Sequence, residues 1–300
     1  MMKMYHNPVL LEACLEGLAL KESGTYVDVT FGGGGHTKAI LDAIGSDGKV
    51  VAFDQDEDAI DNSWVDERLI FIHQNFTYLQ RFLRLHKVDK VDGILADLGV
   101  SSHQIDTPTR GFSTRFDGPL DMRMNSSEGT SAKDVINTYT KEHLSDIFYQ
   151  YGELTNARKI ASKIVESREE NPIETTLELV DLLRPIVPVK IQQKVLAQIF
   201  QALRIEVNQE LEALKSLLEQ SAEVLNHNGR LCVISYHSLE DRLVKRFIQH
   251  GCFENEPVRD DFGRSYKPLK KVGNMTKPME IEIKNNKRAR SAKLRIAEKI

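Results

Sequence analysis

The sequence predicts an α/β chain with a doubly wound, mostly parallel sheet that is interrupted by an all-helical insertion. Three observations carry this prediction. Over the first hundred residues, apolar runs of strand length alternate with segments of helical length, which is the pattern of βαβ units. From Ala132 to about Ile205 the periodicity is helical throughout, with no convincing strand. Strand character then returns at RLCVIS, residues 230–235. Right-handed crossovers turn such units into an open sheet with helices on both faces.

Each element follows in order. Tyr26 to Thr30 reads as a buried strand and Thr37 to Ile44 as a helix. A turn at Ser46-Asp47-Gly48 leads into a second strand, Lys49 to Phe53. Asp56 to Trp64 has helical character, Leu69 to His73 is a third strand, Thr77 to His86 a helix, and Val91 to Ala96 a fourth strand. Residues 103–130 are rich in Gly, Pro, Ser and Thr and read as a structured connection. A long amphipathic helix is expected from Asn208 to Leu225, ending at Asn228-Gly229, and another from Leu239 to Ile248. Met279 to Lys284 and Lys293 to Ala297 alternate apolar and polar residues and read as strands of an antiparallel edge. The domain boundaries expected are 1–104 and 208–300 for the two parts of the α/β domain, with 105–207 as the helical insertion.

Composition narrows the class. With 41% hydrophobic and 28% charged residues, the 300-residue chain is ordinary globular material. Its longest apolar runs are strand-sized, too short for a bilayer span. The opening segment carries Glu12 and Glu16, which a secretory signal would not, so it reads as an amphipathic helix of a cytoplasmic protein. Three scattered cysteines form no CxxC pair, so neither a disulfide framework nor a structural zinc site is indicated, and no metal-ligand cluster is visible. Charge is uneven. Val258 to Ile300 holds 13 Lys or Arg against 5 Asp or Glu, which leaves the preceding 257 residues at −12 in a chain of net −4. A basic end on an acidic body suits either a polyanion contact or a solvated tail.

The stretch VDVTFGGGGHTKAIL, residues 27–41, leads from a strand through four glycines into a helix. A P-loop requires a glycine before the Lys-Ser/Thr pair, and here His36 precedes Thr37-Lys38. A dinucleotide fingerprint requires GxGxxG, and its last glycine would fall on Thr37 or Lys38. S-adenosylmethionine fits better: it needs a bare loop but no phosphate cradle, and a carboxylate at a neighbouring strand end for the ribose hydroxyls. Asp54 stands there, 20 residues after Gly34, and Asp97 ends the fourth strand at the same edge. Phe76, just past the third strand, can lay its ring on adenine. Singly, these carboxylates would also serve as helix caps and Phe76 as core. Together and in this order they favour a nucleoside-type site.

Several longer blocks are more specific: HNPVLL (6–11), DVTFGGGGH (28–36), FDQD (53–56), DGILADLGVSS (92–102), RGFS (110–113), DGPLDMRM (117–124), FQALRIEVNQEL (200–211), SYHSLEDRLVKRF (235–247) and RARSAKLRIAE (288–298). In these the chain resembles the bacterial small-subunit ribosomal RNA methyltransferase H family, also called MraW, over nearly its whole length. The resemblance implies a Rossmann-like class I S-adenosylmethionine-dependent methyltransferase with an inserted helical domain. It also implies methylation of the exocyclic N4 of a cytidine, position 1402 in the decoding region of 16S ribosomal RNA. Cofactor contacts would fall on Gly34, Gly35, His36, Asp54, Phe76, Asp97 and Gln104. Of these, His36 and Gln104 rest on the resemblance alone. His103 and Lys287 stand where the family often has proline, both where RNA would be touched.

The chemistry asks for an acceptor beside N4, whose lone pair is delocalised into the cytosine ring. Many DNA amino-methyltransferases use an acidic or amide residue, two prolines and an aromatic. This chain has Asp97-Leu98-Gly99-Val100, without the prolines or the aromatic, so the acceptor is left open between Asp97 and the Ser235–Ser238 stretch with His237. His237 would face the base or cap the next helix. Between Arg110 and Met124, the planes of Phe112, Phe116, Arg115 and Arg123 suit unpaired bases, or the segment is a hinge. Lys287, Arg288, Arg290, Lys293 and Arg295 suit phosphates, or they blunt a sheet edge. The expected partners are 16S ribosomal RNA and the small ribosomal subunit, with no membrane. An apolar face on the inserted helices could pair two chains as a homodimer. A second class of function is a non-catalytic S-adenosylmethionine-binding assembly factor. An NAD-type oxidoreductase is disfavoured by the absent fingerprint.

Overall fold

A computed structural model describes residues 8–253, 263 and 267–300. The first two residues of HNPVLL, and residues 254–262 and 264–266, where the basic end begins, lie outside the described set. The chain divides into two compact units, one of residues 1–99 and 211–300, the other Val100–Glu210.

The first unit is built on a seven-stranded sheet. Its strands are β1 (Thr25–Asp28), β2 (Lys49–Asp54), β3 (Leu69–His73), β4 (Val91–Asp97), β5 (Leu225–Ser235), β6 (Leu269–Thr276) and β7 (Lys293–Lys299), in the order β3-β2-β1-β4-β5-β7-β6. The first five are parallel, and β7 enters antiparallel beside β5, with β6 antiparallel at the edge. This is the Rossmann-like arrangement that the resemblance implies. The helices of the unit are α1 (Leu11–Leu18), α2 (Gly35–Ala43), α3 (Leu79–Leu85), α10 (Glu210–Val224), α11 (Ser238–His250) and α12 (Glu280–Asn285). Alternate residues of the central strands feed two cores. Val27, Ile94 and Val233 pack with Leu217, Leu218 and Phe247 on one face. Tyr26, Leu95 and Ile234 pack with Cys14, Leu18 and Ile40 on the other. Burial on both faces explains why these strands read as continuous apolar runs.

The second unit contains α4 (Ser102–Asp106), α5 (Ala132–Thr138), α6 (Lys141–Gln150), α7 (Ala157–Arg168), α8 (Thr176–Leu183) and α9 (Gln192–Asn208) around a separate core that includes Ile136, Phe148, Ile160, Leu179, Ile199 and Leu203. Its 103–130 segment is sewn to the helices. Leu120 N–H donates to the Glu174 carbonyl and Ala132 N–H to that of Asp121. A Cβ at Gly118 would come within 2.1 Å of the Pro108 carbonyl oxygen. Among the described residues no helix is long and apolar enough to cross a membrane.

Four elements differ from the sequence expectation. Residues 280–284 form part of helix α12, with Met279 at its N-cap, and not a strand. The alternation there was misleading because Met279 and Ile281 are both exposed. Strand β6 was not foreseen, since LKKVGNMT is polar and sits at an edge; β7 lies inside it rather than at the rim. The long helix expected from Asn208 starts two residues later, as α10; Asn208 itself closes α9, and the break falls at Gln209 with φ +50°. There the Asn208 amide donates to the carbonyls of Arg204 and Met122 and accepts from Met124 N–H, leaving the helix path. The stretch 56–64 holds only a 3₁₀ turn, Glu57–Asn62, started by the Asp56 carboxylate accepting from Asp58 N–H. The Asn228-Gly229 turn signal falls within β5, at a register shift against β4.

Candidate active site

Ligands of open α/β sheets bind beyond the carboxyl ends of the strands. Here three adjacent strands, β2, β1 and β4, end in Asp54, Asp28 and Asp97. Asp28 is fully buried and spent on structure. It accepts from Thr37 Oγ1 at 2.7 Å and from Thr30 N–H at 3.1 Å, which ties the loop after β1 to the first turn of α2. Thr30 Oγ1 in turn accepts from Asp97 N–H at 2.7 Å.

The glycine loop is held from below. Gly32 (φ +52°) donates its N–H to Asp54 Oδ2 at 2.7 Å, and its carbonyl accepts from Asn62 Nδ2. A Cβ at Gly32 would meet nothing nearer than 4.0 Å, so this position is open. Gly34 (φ +75°) and Gly35 are bare for another reason. A Cβ on Gly34 would stand 2.5 Å from the Trp64 ring, and one on Gly35 2.4 Å from the Pro8 ring. Phe31 packs between Trp64 and Phe71, with centroids 5.6 and 4.9 Å away. Two of the glycines thus make room for the protein's own rings.

Asp54 accepts a second amide, Asp56 N–H at 2.9 Å. Burial pushes its carboxyl up to about 6, against the pull of the Asp56 and Gly32 amides. Asp97 is likewise raised to about 6 by burial, opposed by the nearby His36 and by the hydrogen bond from Tyr236. The Tyr236 hydroxyl donates to Asp97 Oδ1 at 2.8 Å, and burial beside that carboxylate pushes the phenol well above its usual range. His36, buried at the start of α2, has Nε2 3.1 Å from the Val9 carbonyl and Nδ1 4.0 Å from Asp97 Oδ2. Phe76, in a 3₁₀ turn just beyond β3, is half-buried against the sheet core.

The loop, His36, Asp54, Phe76 and Asp97 thus share one edge of the first unit. The other foreseen residues are engaged in local contacts of their own. Gln104 belongs to the second unit, where its side-chain oxygen accepts from Ser101 N–H in the capping box of α4. Arg123, also there, is bidentate on Asp121 at 3.0 and 2.7 Å. His237 caps α11: its Nδ1 accepts from Glu240 N–H, and its side chain is 8% exposed. Nε2 lies 3.1 Å from Glu240 Oε1 without meeting hydrogen-bond geometry. Lys293 and Arg295 are both paired with Asp241, at 3.2 and 2.7 Å. Sequence reasoning missed Tyr236, Asp28 and Thr30. Asp28 and Thr30 stood in the glycine block itself, and Tyr236 in SYHSLEDR.

Residues 3–300 match the model of the MraW methylase family. The chain belongs to that family. Among relatives named ribosomal RNA small subunit methyltransferase H, one from Flavobacterium johnsoniae is 58% identical over 296 residues, spanning 99% of this chain and 98% of its own. One from Cytophaga hutchinsonii is 53% identical, spanning 99% and 100%. A third, from Bacteroides fragilis, is 53% identical, spanning 98% and 97%. An MraW methylase needs a methyl donor, and S-adenosylmethionine is its cofactor. The edge fits that molecule: an open Gly32, a carboxylate at β2 with lone pairs left for two hydroxyls, and no phosphate cradle.

Proposed function

We propose that this protein methylates the exocyclic N4 of a cytidine in the decoding region of small-subunit ribosomal RNA, position 1402 of 16S RNA. The names of its relatives point to the small subunit, and the pairing of Tyr236 with Asp97 supports an amino-group acceptor. The sequence lacks an aromatic beside Asp97. Tyr236 supplies one from the end of β5: a Cβ at Gly99 would lie 3.7 Å from its ring, and its hydroxyl is on Asp97. An acid and an aromatic at one strand tip suit a planar amino base, which must leave its stack to be reached.

Bound S-adenosylmethionine would supply an electrophilic methyl on a sulfonium, with a neutral thioether as the leaving group. Asp54 would hold the ribose hydroxyls, Phe76 would lie against the adenine, and Gly34, Gly35 and His36 would form the wall of the loop. Asp97 stands at the tip of strand β4. Its Oδ1 is occupied by Tyr236, so Oδ2 accepts an N4–H, draws the lone pair out of the ring and takes the proton as nitrogen becomes cationic. With its carboxyl near 6, Asp97 is ionised at neutral pH and still returns the proton to solvent readily. Arg123 and His237 are the candidate contacts on the RNA side.

The test is methyl transfer from S-adenosylmethionine to unmodified small subunits, followed by nucleoside mass spectrometry. N4-methylcytidine is expected, lost in Asp97→Ala. Cofactor binding without any methylated nucleoside would move the protein to an S-adenosylmethionine-dependent assembly factor.

A further inference from the structure

We infer that Glu282, on α12 near the far end of the chain, is a positioning residue for the cofactor loop. It acts through the three residues that precede α1, and the inference rests on the placement of the cofactor against the Gly32–His36 loop. Leu10 N–H donates to Glu282 Oε1 at 2.7 Å, across 272 residues of sequence. Leu10 adopts φ +54°, ψ +33° and caps α1 with no side chain of its own. A leucine holds that left-handed conformation against its preference. A charge-assisted bond to a carboxylate is the kind of external partner that sustains it.

The consequence is local and directional. With Leu10 fixed, the Val9 carbonyl points at His36 Nε2, 3.1 Å away, and the Pro8 ring fills the space over Gly35. Both contacts fall on the first two residues of α2. His36 holds its other nitrogen toward Asp97, so the accepting Val9 carbonyl fixes the ring's tautomer and tilt. Glu282, Leu10, Val9 and His36 therefore form one relay from α12 to the cofactor edge. The hydrophobic alternation of MEIEIK gave no sign of it, because α12 contributes an acid here and not a strand.

Calorimetric binding of S-adenosylhomocysteine to the full-length protein tests this without any RNA, so its outcome is independent of the substrate assignment. Glu282→Ala is expected to weaken binding about tenfold, the effect of losing one hydrogen bond to a charged group. Glu282→Gln, which keeps an oxygen for Leu10 N–H, should stay within about twofold of the parent. In a His36→Ala background, Glu282→Ala should add less than about twofold. Should the alanine variant not fold, Glu282→Asp, one methylene short of the Leu10 amide, takes its place in the series. Parent-like binding by the alanine variant would overturn the inference. So would equal weakening by Ala and Gln, or an undiminished effect without His36.

Discussion

The Tyr236 hydroxyl and Asp97 Oδ1, 2.8 Å apart, join the tips of β5 and β4. Tyr236 is set by the strand that follows the helical insertion, so the pair is assembled only when β5 docks beside β4. Replacing Tyr236 with Phe removes the bond that holds the Asp97 carboxyl down. In the proposed mechanism activity needs the ionised carboxylate, so it should fall as pH drops through about 6 in the parent protein. In Tyr236→Phe the acid limb should move to higher pH, with kcat lowered about tenfold. Profiles of kcat on small subunits between about pH 5 and 9 would show this. An unmoved limb would separate Tyr236 from the ionisation of Asp97.

Asp97 should also be a site where stability is given up for chemistry. Its carboxyl lies near 6 in the fold against 3.8 as the ordinary value, so the folded state holds the proton more tightly than the unfolded one. Ionisation therefore disfavours the fold, and this contribution worsens as pH rises from about 4 to 6 and is complete above it. Asp97→Asn keeps an oxygen for Tyr236 and loses the charge. It should be more stable than the parent by on the order of 1 kcal/mol at pH 8, with the gain gone below about pH 4. Urea titrations at the two pH values measure it, and methyl transfer should fall at least about 100-fold.

Two glycines of one loop should respond differently to alanine. At Gly34 a methyl group meets the Trp64 ring at 2.5 Å on a backbone with φ +75°. Strain and overpacking together should cost about 2–4 kcal/mol. At Gly32 the methyl group enters open space, so only the φ penalty of about 1 kcal/mol applies to the fold. Cofactor affinity should nonetheless drop in Gly32→Ala. Denaturation midpoints and calorimetry on both variants separate the two effects, and equal destabilisation would contradict the packing difference.

The basic tail should divide into two functional classes. Lys287 and Arg290 are exposed on the 3₁₀ turn before β7, whereas Arg295 is committed to Asp241 at 2.7 Å. Lys287→Ala with Arg290→Ala should weaken binding to small subunits and flatten its salt dependence by about two charges. Arg295→Ala should mainly lower the unfolding midpoint. A salt slope that responds only to Arg295 would reverse the assignment.

The sequence made legible what depends on local pattern. Strands β1 to β5 are apolar because both faces are covered, and the loop with Asp54 and Asp97 follows from strand order. What it hid depends on long-range pairing. Nothing near MEIEIK announces that Glu282 answers an amide at Leu10, and nothing in LKKVGNMT outweighs its polarity at a sheet edge. Tyr236 was invisible as a partner of Asp97 because 139 residues separate them. The glycines were noticed for the right reason, a close approach, but at Gly34 and Gly35 the approaching groups are Trp64 and Pro8.

Trp64 is the one tryptophan in the chain, and its indole lies against Gly34, in the loop proposed to receive the cofactor. The protein therefore carries its own optical probe. Emission excited at the red edge of protein absorbance comes from a single fluorophore at the point of interest. Occupancy of the loop can be followed in real time, without label or dye, and every variant proposed above keeps that tryptophan.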